Sequence, residues 1–365
     1  MKIEKIYEDN FIKKFHIVIA AAGTGGHIYP GLSIANFFSM RGANVSWMGT
    51  LDGMENDLVD KKKYHFLSIP MMGARGKGIM HWFKVPFFLT KAILKAIYEL
   101  KKIKPDFIIL MGGYICFPVA IAAKLLRIHI IIHEQNSVPG MSNKILSYIS
   151  NKIFLGFESN KLKGELIGNP IRDDLMRINN PHERFEDRIG PLRILIIGGS
   201  LGAVQFNRII PKILNEIVKN KEIKVVHQSG KKHFKDLEIF YESLNIEVEV
   251  EDYLHDMNYY YSWADLVIAR SGAITVSELS QVGIASILIP YPYAVDNHQY
   301  FNAKILEQKK GAVIISQENL EANLPEVIMK LTRKTCEQMA INAKLSIQNS
   351  PCEIIYKYCL AVHEG

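Results

Sequence analysis

The sequence predicts an α/β protein built from two Rossmann-like, doubly wound parallel sheets that face a shared cleft. Three observations predict it. At 365 residues the chain is longer than one ordinary core supports. Each half also opens on the same unit. Strand Phe15–Ala20 runs into Ala21-Ala-Gly-Thr-Gly-Gly-His27, and strand Leu192–Ile197 runs into Gly198-Gly-Ser-Leu-Gly-Ala203. A helix follows each loop, from about Pro30 to Met40 in the first half and to about Lys219 in the second. Finally, short β-branched runs alternate with helical stretches after both openings.

In the first half the further strands are Asn44–Met48, Phe107–Met111, His129–His133 and Lys152–Leu155. In the second they are Lys224–His227, Glu247–Val250, Leu266–Ala269 and Ser286–Ile289. The uncharged run Phe107–Ala123 is broken by Gly112-Gly113 and Pro118, so it reads as strand, glycine turn and helix rather than a membrane span. Pro and Asn in Gly168-Asn-Pro-Ile-Arg172 mark a hinge, and the charged segment Asn179–Gly190 is expected to be a connector outside the core. The expected division is 1–168, 169–345, and a terminal helix in 346–365 that packs back on the first domain.

Composition bounds the function. Hydrophobic content of 48% and charged content of 22% are those of a globular protein. Met1–Lys14 mixes both charges and lacks an apolar region, so no signal peptide is expected. Cys116, Cys336, Cys352 and Cys359 form no CxxC pair and read as reduced structural thiols. The net charge of +7 is uneven: residues 1–165 hold 22 Lys/Arg against 12 Asp/Glu, and the remainder holds 22 against 25. A basic half and a nearly neutral half imply different partners.

Candidate site residues cluster at strand ends, where ligands of such sheets bind. Arg270-Ser-Gly-Ala-Ile-Thr-Val-Ser-Glu278 reads as strand end, tight turn and helix N-terminus, a place suited to a phosphate. Glu278, a turn further on, would repel that phosphate but suits a ribose diol. Gly23-Thr-Gly-Gly-His27 is not a dinucleotide fingerprint, since Ile28 stands where the third glycine belongs and Trp47-Met-Gly-Thr50 supplies no acid. GxxxxGK[ST] is also absent, which removes P-loop chemistry. His27, ending a glycine loop at a helix start, is a functional candidate. His133-Glu-Gln-Asn136, Arg172 and Asp296-Asn-His-Gln299 complete the polar strand ends. Arg172 offers a fork to phosphate, and Asn136 and Gln299 suit sugar hydroxyls.

Taken in order, Gly23–Ala35 (GTGGHIYPGLSIA), Arg75–Gly78 (RGKG), His133–Asn136 (HEQN), Gly168–Arg172 (GNPIR), Gly198–Ala203 (GGSLGA) and Arg270–Ser280 (RSGAITVSELS) carry a resemblance. The chain resembles the MurG family of GT-B glycosyltransferases, UDP-N-acetylglucosamine:undecaprenyl-diphospho-muramoyl-pentapeptide transferases that make lipid II from lipid I. The resemblance runs from about residue 15 to the C-terminus. It implies that Thr24, Gly25 and Gly26 line the cleft near sugar and diphosphate, and that Asn136 contacts the donor sugar. Arg172 and Ser200 would lie near the diphosphate, Leu254 at the uracil, and Ala273, Ile274 and Thr275 at the phosphates. Val276 and Ser277 are counted with them, Glu278 with the ribose, and Gln299 with the N-acetylglucosamine hydroxyls. Ile115-Cys116-Phe117-Pro118 departs from the family's small residue and Gly before Pro, on what would be the acceptor side. His298 is assigned no role.

Such a reaction needs a base, and a neutral imidazole suits it: His27 first, His133 second. No Asp-x-Asp occurs, so the common carboxylate cradle for a metal is absent and no obligatory metal is expected; no cofactor is expected either. Arg75–Lys104 holds eight Lys/Arg and one acid among Ile79, Met80, Trp82, Phe83, Val85, Phe87, Phe88 and Leu89, which suits an anionic leaflet. Leu94 and Ile97 are expected to pack this helix on the sheet. The implied place is the cytoplasmic face of the bacterial inner membrane. No motif supports nucleic-acid binding. The rival readings are a UDP-sugar epimerase on the same plan and a non-catalytic nucleotide-sugar or membrane-binding module.

Overall fold

In a computed structural model the described residues are 15–71, 79–199, 203–344 and 350–364, the side chains of 79–85 excepted. The first lobe holds β1 (His16–Ala21), α1 (Gly25–Met40), β2 (Asn44–Thr50), α2 (Glu55–Leu58), β3 (His65–Ile69), α3 (Ile79–Ile103) and β4 (Phe107–Gly112). It continues with α4 (Cys116–Leu125), β5 (His129–Glu134), α5 (Met141–Leu146), β6 (Lys152–Leu155) and β7 (Glu165–Leu166). After α6 (Pro181–Phe185), the second lobe holds β8 (Leu192–Ile197), α7 (Val204–Ile217), β9 (Ile223–Gln228), α8 (Phe234–Ser243), β10 (Glu249–Glu251) and α9 (Met257–Trp263). Then come β11 (Leu266–Ala269), α10 (Ala273–Val282), β12 (Ala285–Leu288), α11 (His298–Gln308), β13 (Ala312–Ile314), α12 (Leu320–Lys330), α13 (Arg333–Ala343) and α14 (Pro351–Glu364).

The strand orders are β3-β2-β1-β4-β5-β6-β7 and β10-β9-β8-β11-β12-β13, with every pair parallel. Strand order therefore reverses between β1 and β4 and between β8 and β11, which opens a crevice at the carboxyl edge of each sheet. The β-branched runs are sheet interiors buried on both faces. Ile17 and Ile19 enter one core of the first lobe while Val18 and Ala20 enter the other. Ile194 with Ile196, and Leu195 with Ile197, divide the same way in the second lobe. Each such isoleucine is worth roughly 1.5–3 kcal/mol of burial.

Three expectations are corrected. α1 begins at Gly25, not near Pro30, because the Thr24 carbonyl accepts from the His27 and Ile28 N–H groups and so closes the first turn across the glycines. Asn179–Gly190 is not a bare connector. Phe185 lies in the second-lobe core, and Arg188 pairs at 2.6 Å with fully buried Asp265, which Arg333 meets at 3.2 Å. Leu94 does not pack α3: it is 60% exposed, whereas Ala92, Ala96 and Leu100, spaced by four, turn the buried face inward with Ile97 beside them.

α14 packs far from its neighbours in sequence. Cys352, Ile355, Tyr356 and Cys359 share a core with Phe15, Phe37 and Phe38 of the first lobe. The Tyr356 ring lies 5.2 Å from that of Phe38 and 5.7 Å from that of Phe15. All four cysteines are free and buried. Among the described residues no helix is long and apolar enough to cross a membrane.

Two histidines are sealed into the sheets. His227 meets the Tyr241 hydroxyl at 2.8 Å, and His133 donates from Nε2 to the Gly168 carbonyl at 3.0 Å. Burial drives His133 down to about 4 and His227 down to about 3, against about 6.5 for an ordinary imidazole. Below that ordinary value the unfolded chain binds protons that the folded chain refuses. Stability is therefore full above it and falls as pH drops toward the two lowered values. Urea unfolding at about pH 5 is expected to show on the order of 2 kcal/mol less stability per histidine than at about pH 7. His227→Gln, which cannot charge, removes its share of that slope; an equal slope in both proteins refutes the burial effect.

Candidate functional site

The first wall of the cleft is the start of α1. Thr24 is its N-cap, and the N–H groups of Gly25 and Gly26, in the first turn, have no intrahelical carbonyl to reach. Glu55, buried on α2, holds the preceding loop: it accepts from the Thr50 N–H at 2.7 Å and the Gly23 N–H at 3.3 Å. His27 follows, half-buried. Its Nδ1 lies 3.3 Å from the Ala22 carbonyl, which only accepts, so Nδ1 carries the proton and Nε2 keeps its lone pair. Burial lowers the pKa of His27; the Glu134 charge and the Ala22 carbonyl oppose that, and His298 of α11 adds to it. The ring rests against Gly112, where φ is +112° and a Cβ would sit 2.8 Å from Nε2. At the next residue, Gly113, a Cβ would lie 2.5 Å from the Ala22 oxygen. The two glycines at the end of β4 thus let the ring and the β1 loop pack directly on backbone.

At the end of β5, Glu134 accepts from the Asn136 N–H at 2.9 Å, the Gly140 N–H at 3.0 Å and the Asn143 amide at 2.8 Å. These bonds fix Asn136 at the cleft. Fully buried Asn302 of α11 ties the lobes there. Its oxygen accepts from the Ser137 N–H at 3.0 Å and the Ser137 hydroxyl at 2.9 Å, and its amide donates to Asn136 at 3.2 Å. At the hinge Asn169 donates to the Gln135 carbonyl at 3.0 Å and to the Ser277 hydroxyl at 2.8 Å. The two candidate bases part company here: His27 borders the cleft, while His133 is 0% exposed and supports Gly168 of the hinge. A cavity of about 40 Å³, lined by Gly168, Asn169, Asp173, Ser277, Gln281 and Cys352, lies at the hinge away from His27.

The second wall is the start of α10, with Gly272 as N-cap and Ala273, Ile274 and Thr275 in its first turn. Ser271 does not cap the helix; it is buried, and among the described residues its hydroxyl has no hydrogen-bond partner. Val276 packs in the core and donates its N–H to the Gly272 carbonyl, so helix phase turns it from the cleft; Ser277 faces the hinge. Glu278 is 5% exposed, not solvated. Its carboxylate accepts from the Tyr261 hydroxyl at 3.0 Å and lies 3.5 Å from the Arg172 Nε, an ion pair longer than a hydrogen bond. Burial raises the Glu278 pKa, with Arg172 and Tyr261 opposing. Arg172, from the hinge, thus reaches the second wall. Leu254 is buried beside β10. Gln299 accepts the Tyr291 N–H at 2.9 Å, and Arg270 donates to the Ile289 and Pro290 carbonyls at 3.2 and 3.3 Å, so both brace the loop after β12. Ser200 and Arg75–Gly78 lie outside the described residues.

Asn302 carries no signal in the sequence; Glu134 and Asn169 fall within the polar strand end and the hinge named there, but their bonds to Gly140, Asn143, Gln135 and Ser277 are not legible from it. The departing Cys116 is buried, not in the cleft: its sulfur accepts from the Gly112 N–H at 3.2 Å, and burial pushes the thiol up to about 12. Among the described residues no group of three or more His, Cys, Asp or Glu is arranged to hold a metal.

Residues 17–155 match the glycosyltransferase family 28 N-terminal domain, and residues 193–351 match the glycosyltransferase family 28 C-terminal domain. A Polynucleobacter asymbioticus protein is 42% identical over 328 residues, covering 90% of this chain and 92% of its own. A Nitrosospira multiformis protein is 38% identical over 348 residues, covering 94% and 98%. Both are named UDP-N-acetylglucosamine--N-acetylmuramyl-(pentapeptide) pyrophosphoryl-undecaprenol N-acetylglucosamine transferase. The crystal structure of Acinetobacter baumannii MurG superposes with a TM-score of 0.81 at 32% identity, covering 95% of this chain and 99% of that one. With two facing parallel sheets of the GT-B kind and both family domains matched in order, the chain belongs to glycosyltransferase family 28.

Proposed function

We infer that this chain is a hexosyltransferase that moves N-acetylglucosamine from UDP-N-acetylglucosamine to the 4-hydroxyl of the muramoyl sugar of lipid I. The α linkage of the donor is inverted to β(1→4), and the product is lipid II of peptidoglycan synthesis. The observation that carries this reading is the 42% identity, over 90% of the chain, to a relative named for that transfer. A UDP-sugar epimerase and a non-catalytic binding module lack such support.

The reaction needs three things of the protein. It must take a proton from the attacking hydroxyl, hold the donor sugar, and stabilise the departing diphosphate. His27 is the base: its neutral ring, with Nδ1–H on the Ala22 carbonyl, presents an unprotonated Nε2. Asn136 and Gln299 read the donor sugar. Glu278 takes the ribose and the Leu254 backbone the uracil. The first-turn N–H groups of α1 and α10, Arg172 and Ser200 meet the charge on UDP, without an obligatory metal.

The acceptor is lipid-borne, so the first lobe must reach a membrane. Arg75–Lys104 is the adsorbing segment. In its described part Phe87 is 60% exposed, the Lys91 ammonium lies 4.5 Å over its ring, and Leu94 and Tyr98 are exposed on the same helix. Apolar rings beside lysines suit an anionic leaflet, each lysine contributing about 1 kcal/mol. The place of action is then the cytoplasmic face of the bacterial inner membrane.

A transfer assay with labelled UDP-N-acetylglucosamine and a lipid I analogue should give product, and UDP-N-acetylgalactosamine should give far less. Product should persist in excess chelator; complete loss, restored by Mg²⁺, defeats the metal-free arrangement. His27→Ala should lower kcat by about 10²–10⁴ with UDP binding nearly unchanged, and a loss under about tenfold removes it as base. Vesicles with anionic lipid should co-sediment the chain, less so as salt rises; equal binding to neutral vesicles rejects the electrostatic part.

A further inference from the structure

Two phenols meet across the cleft. Tyr29 lies on α1 of the first lobe, and Tyr253 lies between β10 and α9 of the second. Their hydroxyl oxygens are 2.5 Å apart, the separation of a short hydrogen bond. Burial, then the bond to Tyr253, raises the Tyr29 pKa, so at neutral pH one hydroxyl donates and the other accepts. The Tyr29 ring has a second partner: the Arg172 guanidinium carbon lies 5.6 Å from its centroid, within cation–π range. Arg172 in turn faces Glu278 at 3.5 Å. Tyr253 is bonded through the chain to Leu254, and its ring stands edge-on to that of His255 at 4.9 Å.

We propose that Tyr29 is a positioning residue for the nucleotide, supplied to the donor pocket by the opposite lobe. Its hydroxyl fixes the Tyr253–Leu254 peptide, and its ring face fixes the Arg172 guanidinium, which faces Glu278 and is assigned to the diphosphate. This rests on the assignment of the second lobe to the nucleotide. It adds that a nucleoside diphosphate is held fully only when α1 is against the second lobe. The same helix carries His27 two residues earlier, so docking of Tyr29 and presentation of the base are one rigid movement. Donor binding therefore registers the base, without any contact between the nucleotide and His27.

Tyr29→Phe and Tyr253→Phe each delete one hydroxyl and keep the ring. Calorimetric titration with UDP should show either single variant binding about five- to tenfold more weakly, the worth of one hydrogen bond. Donor KM should rise by a similar factor, and kcat should change less. The double variant should be no weaker than either single, since both remove the same bond. Amide exchange of the ligand-free chain should quicken in 252–256 in the Tyr29 variant. UDP affinity unchanged in both single variants, or losses that add in the double, overturns the proposal. If the wild-type chain binds no UDP, the donor assignment fails and the proposal with it. If it binds UDP and transfers sugar while exchange in 252–256 is unaffected by Tyr29→Phe, the proposal alone fails.

Discussion

A buried amide holds the two lobes together beside Asn136. Asn302 is fully enclosed, and an enclosed primary amide must find donors and an acceptor or lose more than a hydrogen bond is worth. Its own lobe supplies the Ser271 carbonyl at 3.4 Å, a weak partner. The stronger ones, the Ser137 N–H and hydroxyl, belong to the other lobe. The separation of the lobes is thus fixed near Asn136, and the N-termini of α1 and α10 stand on the two walls that result. Asn169 makes a comparable link at the hinge. Side-chain amides suit both places because they are neutral, and neither tie buries a net charge.

The elements that were legible in the sequence are those whose signal is local. Leu192–Ile197, Leu266–Ala269 and Lys152–Leu155 are dominated by apolar and β-branched residues, and the strands fall on them residue for residue. His65–Ile69 and Ala312–Ile314 escaped notice because the first mixes polar residues into an edge position and the second is only three residues long. α1 starts ahead of Pro30: in the sequence Gly25-Gly26 reads as loop, whereas the Thr24 carbonyl closes the first turn across these glycines. Leu94 was misassigned for a different reason: apolar character alone does not fix the phase of a helix, and Ala92, Ala96 and Leu100 do.

The same division runs through the site. His27, Glu278 and Arg172 drew attention because strand ends and helix starts of a doubly wound sheet face the crevice, and the structure places them at such positions. Asn302 was invisible because its partner Ser137 lies 165 residues away, and nothing near position 302 announces it. Tyr29 and Tyr253 share that long-range character. Val276 shows the opposite error, a residue included for its neighbours and then turned into the core by the hundred degrees each helical step imposes. Cys116 shows that a departure in a motif need not reach the ligand, since its sulfur is absorbed in bonds beneath Gly112.

α14 carries one more consequence. Tyr356 is wedged among Phe15, Phe37 and Phe38, so β1 and α1 share their core with a helix that is synthesised only after the whole second lobe. The second lobe, whose contacts are closer in sequence, can close upon itself while the first still has an apolar gap open to water. During synthesis the order of completion is then inverted: the lobe translated first is finished last, and until then it has reason to engage chaperones.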